Sequence, residues 1–248
     1  MLVLLPPSET KRDGGIPDTA LDLGALSFPE LGRQRREALA GVRRVSRSVA
    51  VATHALGLGP TQKFEIERNR TLGSSPVMPA IDRYTGVLYD GLGADALEVA
   101  ARAFVERSVV IHSALFGLVR AADPIPAYRF SHDSRVPGMP LGRLWREPIS
   151  RVLAGQDGLI LDLRSEIYAD LGPAPERSSS AFLRVVTRDS GGTKRALNHF
   201  NKKGKGEFVR ALATGGRHIA SIDDLISWSH SVGLTLERGA PGELDLVV

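Results

Sequence analysis

The sequence predicts a mixed α/β fold of the α+β kind, with a mixed sheet and surrounding helices in one domain spanning residues 1–248. Three observations lead there. Short apolar runs at Leu2–Leu5, 109–113 and 159–163 have the length and abrupt ends of buried strands. Longer stretches carry apolar residues every three to four positions, the period of an amphipathic helix. The two kinds of segment do not alternate as regular βαβ units, so a doubly wound sheet is not expected.

Taken in order, Leu2–Leu5 is a strand closed by Pro6-Pro7, and a polar loop runs from Ser8 to Gly15. Pro29 suits a first helical turn, and Leu31, Leu39, Val42, Val45 and Val49 mark one face of the helix that follows, with arginines opposite. The helical pattern continues over 52–56, breaks at Gly57-Leu58-Gly59-Pro60 and resumes over 61–69. Residues 73–79 read as loop and 83–92 as mixed. A helix over 94–107 puts Leu97, Ala100, Ala101 and Phe104 on one side. Another at 140–154 contains Pro148, which is expected to kink or split it. After the strand at 159–163, residues 181–187 and 195–200 read as two strands about a Gly191-Gly192 turn. Residues 202–213 suit a basic helix, although Gly204 and Gly206 each disfavour it by about 1 kcal/mol relative to alanine. Ser221 caps a helix carrying Ile222, Leu225 and Ile226, and 234–237 with 244–248 form a closing hairpin.

Hydrophobic residues at 42% and charged residues at 24% are the proportions of a chain with a full core. No run approaches the roughly 20 apolar residues of a membrane helix. The N-terminal run has no basic region ahead of it and is cut short by prolines, so it reads as a strand rather than a signal. The chain has no cysteine, which removes disulfides, thiolate nucleophiles, cysteine-bound zinc, iron–sulfur ligation and a peroxidatic-cysteine mechanism. Its six histidines show no pair at ligand spacing, so no metal and no other cofactor is expected. The missing disulfides and signal point to the cytoplasm.

The net charge of +4 understates how the cations cluster. Arg33, Arg35, Arg36, Arg43, Arg44 and Arg47 face only Glu37, and a second block over 184–210 contains Lys202, Lys203 and Lys205. Such blocks suit a polyanion, although solvated helix faces produce the same pattern. Next to the first block, Gly57-Leu58-Gly59 resembles the hairpin of a helix-hairpin-helix element over about 33–70. There the glycines permit close backbone approach, and the amides of the second helix can meet a phosphate. A helix C-cap glycine followed by an N-terminal proline gives the same string. The expected DNA-contacting group is Arg35, Arg36, Arg43, Arg44, Gly57, Gly59 and Lys63, with Lys202, Lys203 and Lys205 lining a cleft.

A second group converges on strand ends. Ser8, Lys11, Ser113 and Ser165 follow apolar strands, Tyr84 and Tyr89 sit in a glycine-rich segment, and Arg120, Asp123, Tyr128 and Arg129 lie around two prolines. At one sheet edge these residues would form a pocket for a small polar or anionic ligand. Core tyrosines in a turn are the plainer reading of Tyr84 and Tyr89, and a buried core histidine that of His112. No acid/base pair is fixed by spacing. Ser131-His132-Asp133 is rejected as a triad, because adjacent residues rarely present that geometry.

Six segments, in order along nearly the whole chain, together resemble the YaaA-type peroxide-stress proteins of bacteria. They are Leu4-Leu5-Pro6-Pro7-Ser8-Glu9-Thr10-Lys11, the run from Tyr84 to Leu92, the run from Ser113 to Arg120, Ile125-Pro126-Ala127-Tyr128-Arg129, the run from Leu161 to Tyr168, and Asn201-Lys202-Lys203-Gly204-Lys205-Gly206, followed by Gly242-Glu243-Leu244. The resemblance implies one mixed α/β domain with a basic cleft and a helix-hairpin-helix-like element. It also implies DNA binding without strong sequence preference, and tolerance of hydrogen peroxide linked to lower free iron. It supplies no catalytic reaction. The alternative from the residues alone is an enzyme or binder of a nucleotide- or nucleobase-like ligand in the Lys/Tyr/Arg pocket.

Overall fold

The computed structural model describes residues 1–188, 194–196 and 200–248, with the side chains of 194–196 and Phe200 left out. Among these residues the strands are β1 (Leu2–Leu5), β2 (Met78–Pro79), β3 (Val109–Ser113), β4 (Gly117–Arg120), β5 (Pro124–Ile125), β6 (Ile160–Asp162), β7 (Ser180–Arg188), β8 (Lys194–Ala196), β9 (Thr235–Arg238) and β10 (Glu243–Val247). The helices are α1 (Gly32–Val45), α2 (Val49–Ala55), α3 (Phe64–Arg70), α4 (Ala80–Arg83), α5 (Val87–Leu92), α6 (Val99–Ser108), α7 (Leu141–Ala154), α8 (Glu166–Asp170), α9 (Phe200–Thr214) and α10 (Ile222–Ser231).

The fold is mixed α/β around an eight-stranded sheet of order β4-β3-β1-β6-β7-β10-β9, with β8 paired to the end of β7. Strands β3, β1, β6, β7 and β10 run parallel, whereas β4, β9 and β8 are antiparallel to their neighbours. Strands β1, β3 and β6 are buried on both faces, which is why they read as largely apolar runs. Helix α6 packs on β3 and β4, α7 on β4, α9 on β7 and α10 on β9. One continuous apolar core joins these layers.

Several elements differ from the pattern in the sequence. Helix α7 runs through Pro148 unbroken, because Leu144, Trp145, Ile149 and Leu153 bury one face around the missing backbone donor. Residues 83–92 resolve into the end of α4, an isolated bridge between Lys11 and Tyr84, and α5. The strand expected at 195–200 is β8 at 194–196, and the Gly191-Gly192 turn lies outside the described residues. Val49 and Ala100, placed on apolar faces, are exposed. Gly206 is a packing device rather than a helix breaker. A Cβ there would sit 2.0 Å from the Leu88 carbonyl oxygen, so its absence lets α9 lie directly on α5.

Candidate functional site

Strand β1 lies between β3 and β6, so the chain leaves it first towards one side of the sheet and later towards the other. In parallel sheets such a reversal opens a crevice at the carboxyl ends of the strands. Three strand exits meet there: Pro6 to Lys11 after β1, His112-Ser113 at the end of β3, and Asp162 to Ser165 after β6.

Lys11 is held in this crevice by a short antiparallel pairing. Lys11 bridges Tyr84, and the Arg12 amide donates to the Arg83 carbonyl at 2.8 Å. Arg83 is fully buried and donates to the carbonyls of Arg12, Gly14, Pro76 and Ile125, tying the loops to one another. Lys11 itself is only 7% exposed. Its Nζ donates to the Ser8 and Glu9 carbonyls at 3.0 and 3.2 Å and stands 4.1 Å from the Tyr128 ring centre. Loss of hydration pulls its pKa down to about 7; Arg129 and Arg68 act in the same direction, Glu65 and Glu9 against it.

The phenols form a directed chain. Ser113 Oγ accepts from the Leu115 and Phe116 amides at 3.1 and 3.0 Å, which occupies both its lone pairs. Its proton therefore goes to the Tyr128 hydroxyl at 2.7 Å, and Tyr128 donates in turn to Tyr84, also at 2.7 Å. Tyr84 ends this chain, accepting from Tyr128 and keeping its own proton. Burial raises its pKa to about 12 and that of Tyr128 well above the usual phenol range, so both stay protonated. Tyr89 stacks on Tyr84 and donates to the Pro6 carbonyl at 2.8 Å. Tyr168 joins edge-on against His112 and His132. All four tyrosines of the chain thus gather at this edge.

Arg129 is buried, with Nη1 on the Glu9 carboxylate at 2.8 Å and Nε without a partner among the described residues. Its backbone is fixed by two hydrogen bonds with the Asn69 amide side chain, at 2.7 and 2.9 Å. Behind the phenols, fully buried Arg164 makes two bonds to Asp162, at 2.8 and 2.6 Å, and contacts His112 Nδ1 at 2.9 Å. Burial, with Arg164 beside it, holds His112 well below its ordinary pKa, so the ring is neutral; Nδ1 accepts from Arg164, and the buried Nε2 has no partner among the described residues.

A family model described as peroxide stress protein YaaA matches residues 1–238. The chain belongs to that family. A UPF0246 protein of Corynebacterium efficiens is 41% identical over 255 residues, covering 100% of both chains. One from Streptomyces coelicolor is 38% identical over 98% of this chain and 94% of its own. An uncharacterized Campylobacter jejuni protein is 29% identical over 68% of this chain and 69% of its own. The family match takes in the whole carboxyl-edge cluster, while Gly242-Glu243-Leu244 lies beyond it.

Of the residues expected in a pocket, the structure brings Ser8, Lys11, Tyr84, Tyr89, Ser113, Tyr128 and Arg129 to this edge. Ser165 is exposed at the start of α8 on the same side. Arg120 and Asp123 are corrected. The antiparallel return of β4 pairs Arg120 with Val110, three residues back from Ser113, or about 10 Å along the strand. There Arg120 donates to the Arg107 carbonyl at 2.7 Å, and Asp123 accepts from Ser27 at 2.9 and 2.7 Å. The literal Ser131-His132-Asp133 string holds no triad: Ser131 donates directly to Asp133, while His132 lies against Tyr168.

Two residues expected to meet DNA are also corrected. Arg35 is 0% exposed and donates to the carbonyls of Phe116, Ser27 and Leu118 at 2.9, 2.6 and 2.7 Å. Its five-donor fork satisfies the β3–β4 turn from inside. Lys205 is buried, with Nζ on the Arg164 carbonyl at 3.2 Å and over the Phe182 ring; desolvation lowers its pKa to about 8. Arg36, Arg43, Arg44, Lys63, Lys202 and Lys203 are exposed, and Gly57 sits at φ +62° with open space around it. Gly59 is half-buried, its amide held by the Gln62 side chain at 2.9 Å. Arg83, Arg164, Tyr168 and Asn69 were not singled out. For Arg35 a signal was present: Leu31, Arg35, Ala38, Val42 and Val45 form one helical stripe, so the arginine falls on the apolar face.

Proposed function

We propose that this peroxide-stress family member binds the DNA backbone without sequence preference, in the cytoplasm, through the outer face of α1 and the neighbouring α2–α3 turn. One observation carries the reading. Arg36 and Arg43, with Arg47 just past the helix end, share a stripe of that face, are exposed and make no ion pair among the described residues. Arg70, paired with Glu67 at 3.3 Å, donates to the Ser46 and Arg47 carbonyls and so braces the end of the stripe without adding free charge to it. Cations left unneutralised along one line suit a row of phosphates. The link to lower free iron is carried over from the family resemblance alone.

The test replaces Arg36, Arg43 and Arg47 together with serine and measures affinity for a duplex of arbitrary sequence against salt. Wild-type affinity is expected to fall on the order of 10³-fold between about 50 and 200 mM salt if about six phosphates are neutralised. The triple variant should show a log–log slope shallower by about 3 × 0.9, or 2.7, with unchanged urea unfolding. Equal affinity and slope in the two proteins overturn the reading.

A second reading, a small polar or anionic ligand of nucleotide or nucleobase type at the carboxyl edge, is favoured by Arg129 Nε near Lys11 and by His112 Nε2 behind the phenols, both buried and without a partner among the described residues. Thermal stabilisation by nucleoside monophosphates, abolished in Lys11→Ala and Arg129→Ala while DNA affinity is kept, supports it. Loss of DNA affinity alone in those variants defeats it.

A further inference from the structure

We propose that Lys11 is an imine-forming amine, condensing with a small aldehyde or keto compound whose anionic group is held by Arg129. This rests on the reading of the carboxyl edge as a ligand site and names the chemistry of its occupant.

The amine is positioned but not neutralised. Its hydrogen bonds go to the carbonyls of Ser8 and Glu9, which hold it in place without supplying a counter-charge. The two carboxylates that act on it are already engaged: Glu9 by Arg129 at 2.8 Å and Glu65 by Arg68 at 2.8 Å. The other charged or titratable groups facing it are Arg129, Arg68, Tyr84 and Tyr128. Lys11 is thus held by two backbone carbonyls and the Tyr128 ring, with no carboxylate of its own among the described residues.

The surroundings supply what a condensation needs. The neutral Nζ lone pair adds to the carbonyl carbon. The Ser113–Tyr128–Tyr84 chain, whose terminal proton is on Tyr84, donates to the carbonyl oxygen as the C–O double bond opens. The proton released from nitrogen replaces it, giving a neutral carbinolamine. A second proton delivered along the same chain lets that hydroxyl leave as water while the C–N double bond forms. The remaining nitrogen proton then returns to the chain, leaving a neutral imine and protonated phenols, and no oxidant or reductant is required. Burial separates the two kinds of group: the amine is near half neutral at pH 7 and the phenols remain acids. Arg129 Nε, buried and without a partner among the described residues, is the donor assigned to the anion. Lys11 is 7% exposed, and the adjoining Glu9 and Thr10 are both exposed.

The experiment incubates the folded full chain at pH 7 with glyoxylate and cyanoborohydride, which reduces an imine to a stable carboxymethyl amine, and maps adducts by peptide mass. An ordinary lysine with pKa about 10.4 is roughly one part in 2,500 neutral at that pH. Lys11 should therefore be labelled at least about tenfold faster than exposed Lys63 and Lys203, even after allowing for its weaker basicity. Unfolding in urea should erase the difference. Arg129→Gln should slow labelling by glyoxylate but not by propanal, which carries no anion. Labelling of Lys11 no faster than Lys63 overturns the proposal. Glyoxylate that raises the melting temperature without an adduct leaves the ligand site standing and overturns the imine; neither effect overturns both.

Discussion

The outer face of α1 and the carboxyl edge of the sheet are both rich in cations, yet the protein solvates them oppositely. Arg35 and Arg36 are adjacent in sequence. Arg36 extends into water with no ion pair among the described residues, whereas Arg35 is enclosed by carbonyl oxygens of the β3–β4 turn. Burial lowers the Arg35 pKa only to about 10, so it remains a cation with Asp123 nearby. The outer face keeps charge available for a partner. At the edge, charge is consumed by the fold, except at Lys11 and at one nitrogen of Arg129. A cluster of arginines in a sequence is thus two populations, separated only by the direction each side chain takes from its helix.

The largest test of that division is Arg164→Met against Arg36→Met. Removing Arg164 strands Asp162 and leaves His112 Nδ1 and the Gly172 carbonyl without their donor. Breaking a buried pair in this way is expected to reduce stability by about 3–5 kcal/mol in urea unfolding. The Arg36 change should stay within about 0.5 kcal/mol. Equal losses would erase the distinction.

An intermediate effect is expected at Lys11, read through pH. Its folded pKa of about 7 lies below the unfolded value of 10.5, so between those limits the unfolded chain binds the extra proton. Wild-type stability should therefore climb with pH across that window, by up to about 1.4 kcal/mol per pH unit from this group. Lys11→Met should lack that slope and should hold its greatest advantage over wild type below pH 7. Parallel pH profiles would show that Lys11 belongs with the solvated cations.

The smallest test lies at the turn beside the outer face. Gly57→Ala places a side chain at φ +62°, where nothing obstructs it and only backbone strain opposes it. A loss of about 1 kcal/mol in thermal or urea unfolding is expected. A larger loss would mean that the turn is packed rather than merely shaped.

The frame was readable because buried parallel strands announce themselves as continuous apolar runs, as at Leu2–Leu5 and 109–113. The closing hairpin was readable as well, at 234–237 with 244–248, close to the observed β9 and β10. Much of the edge was readable too, since residues directly after such strands must emerge at their carboxyl ends. Arg120 and Asp123 were misplaced because one glycine, Gly117, reverses the chain and carries them back to the opposite end of β3. Arg35 and Lys205 were misplaced because charge was read as exposure, although each has enough backbone carbonyl or ring surface to satisfy it indoors. Arg164 with Asp162 left no pattern, since their bond depends on a turn after β6 that spacing alone does not describe.

The gathering of every phenol at one edge also makes the protein its own optical gauge. Tyr84, Tyr89, Tyr128 and Tyr168 all sit there, while Trp145 is locked to the Ala114 carbonyl and Trp228 packs on Phe208. Tyrosine absorbance therefore follows the crevice, and tryptophan fluorescence follows the frame around it. A titration in which the first changes and the second stays constant separates occupancy from unfolding in a single cuvette, with no label attached.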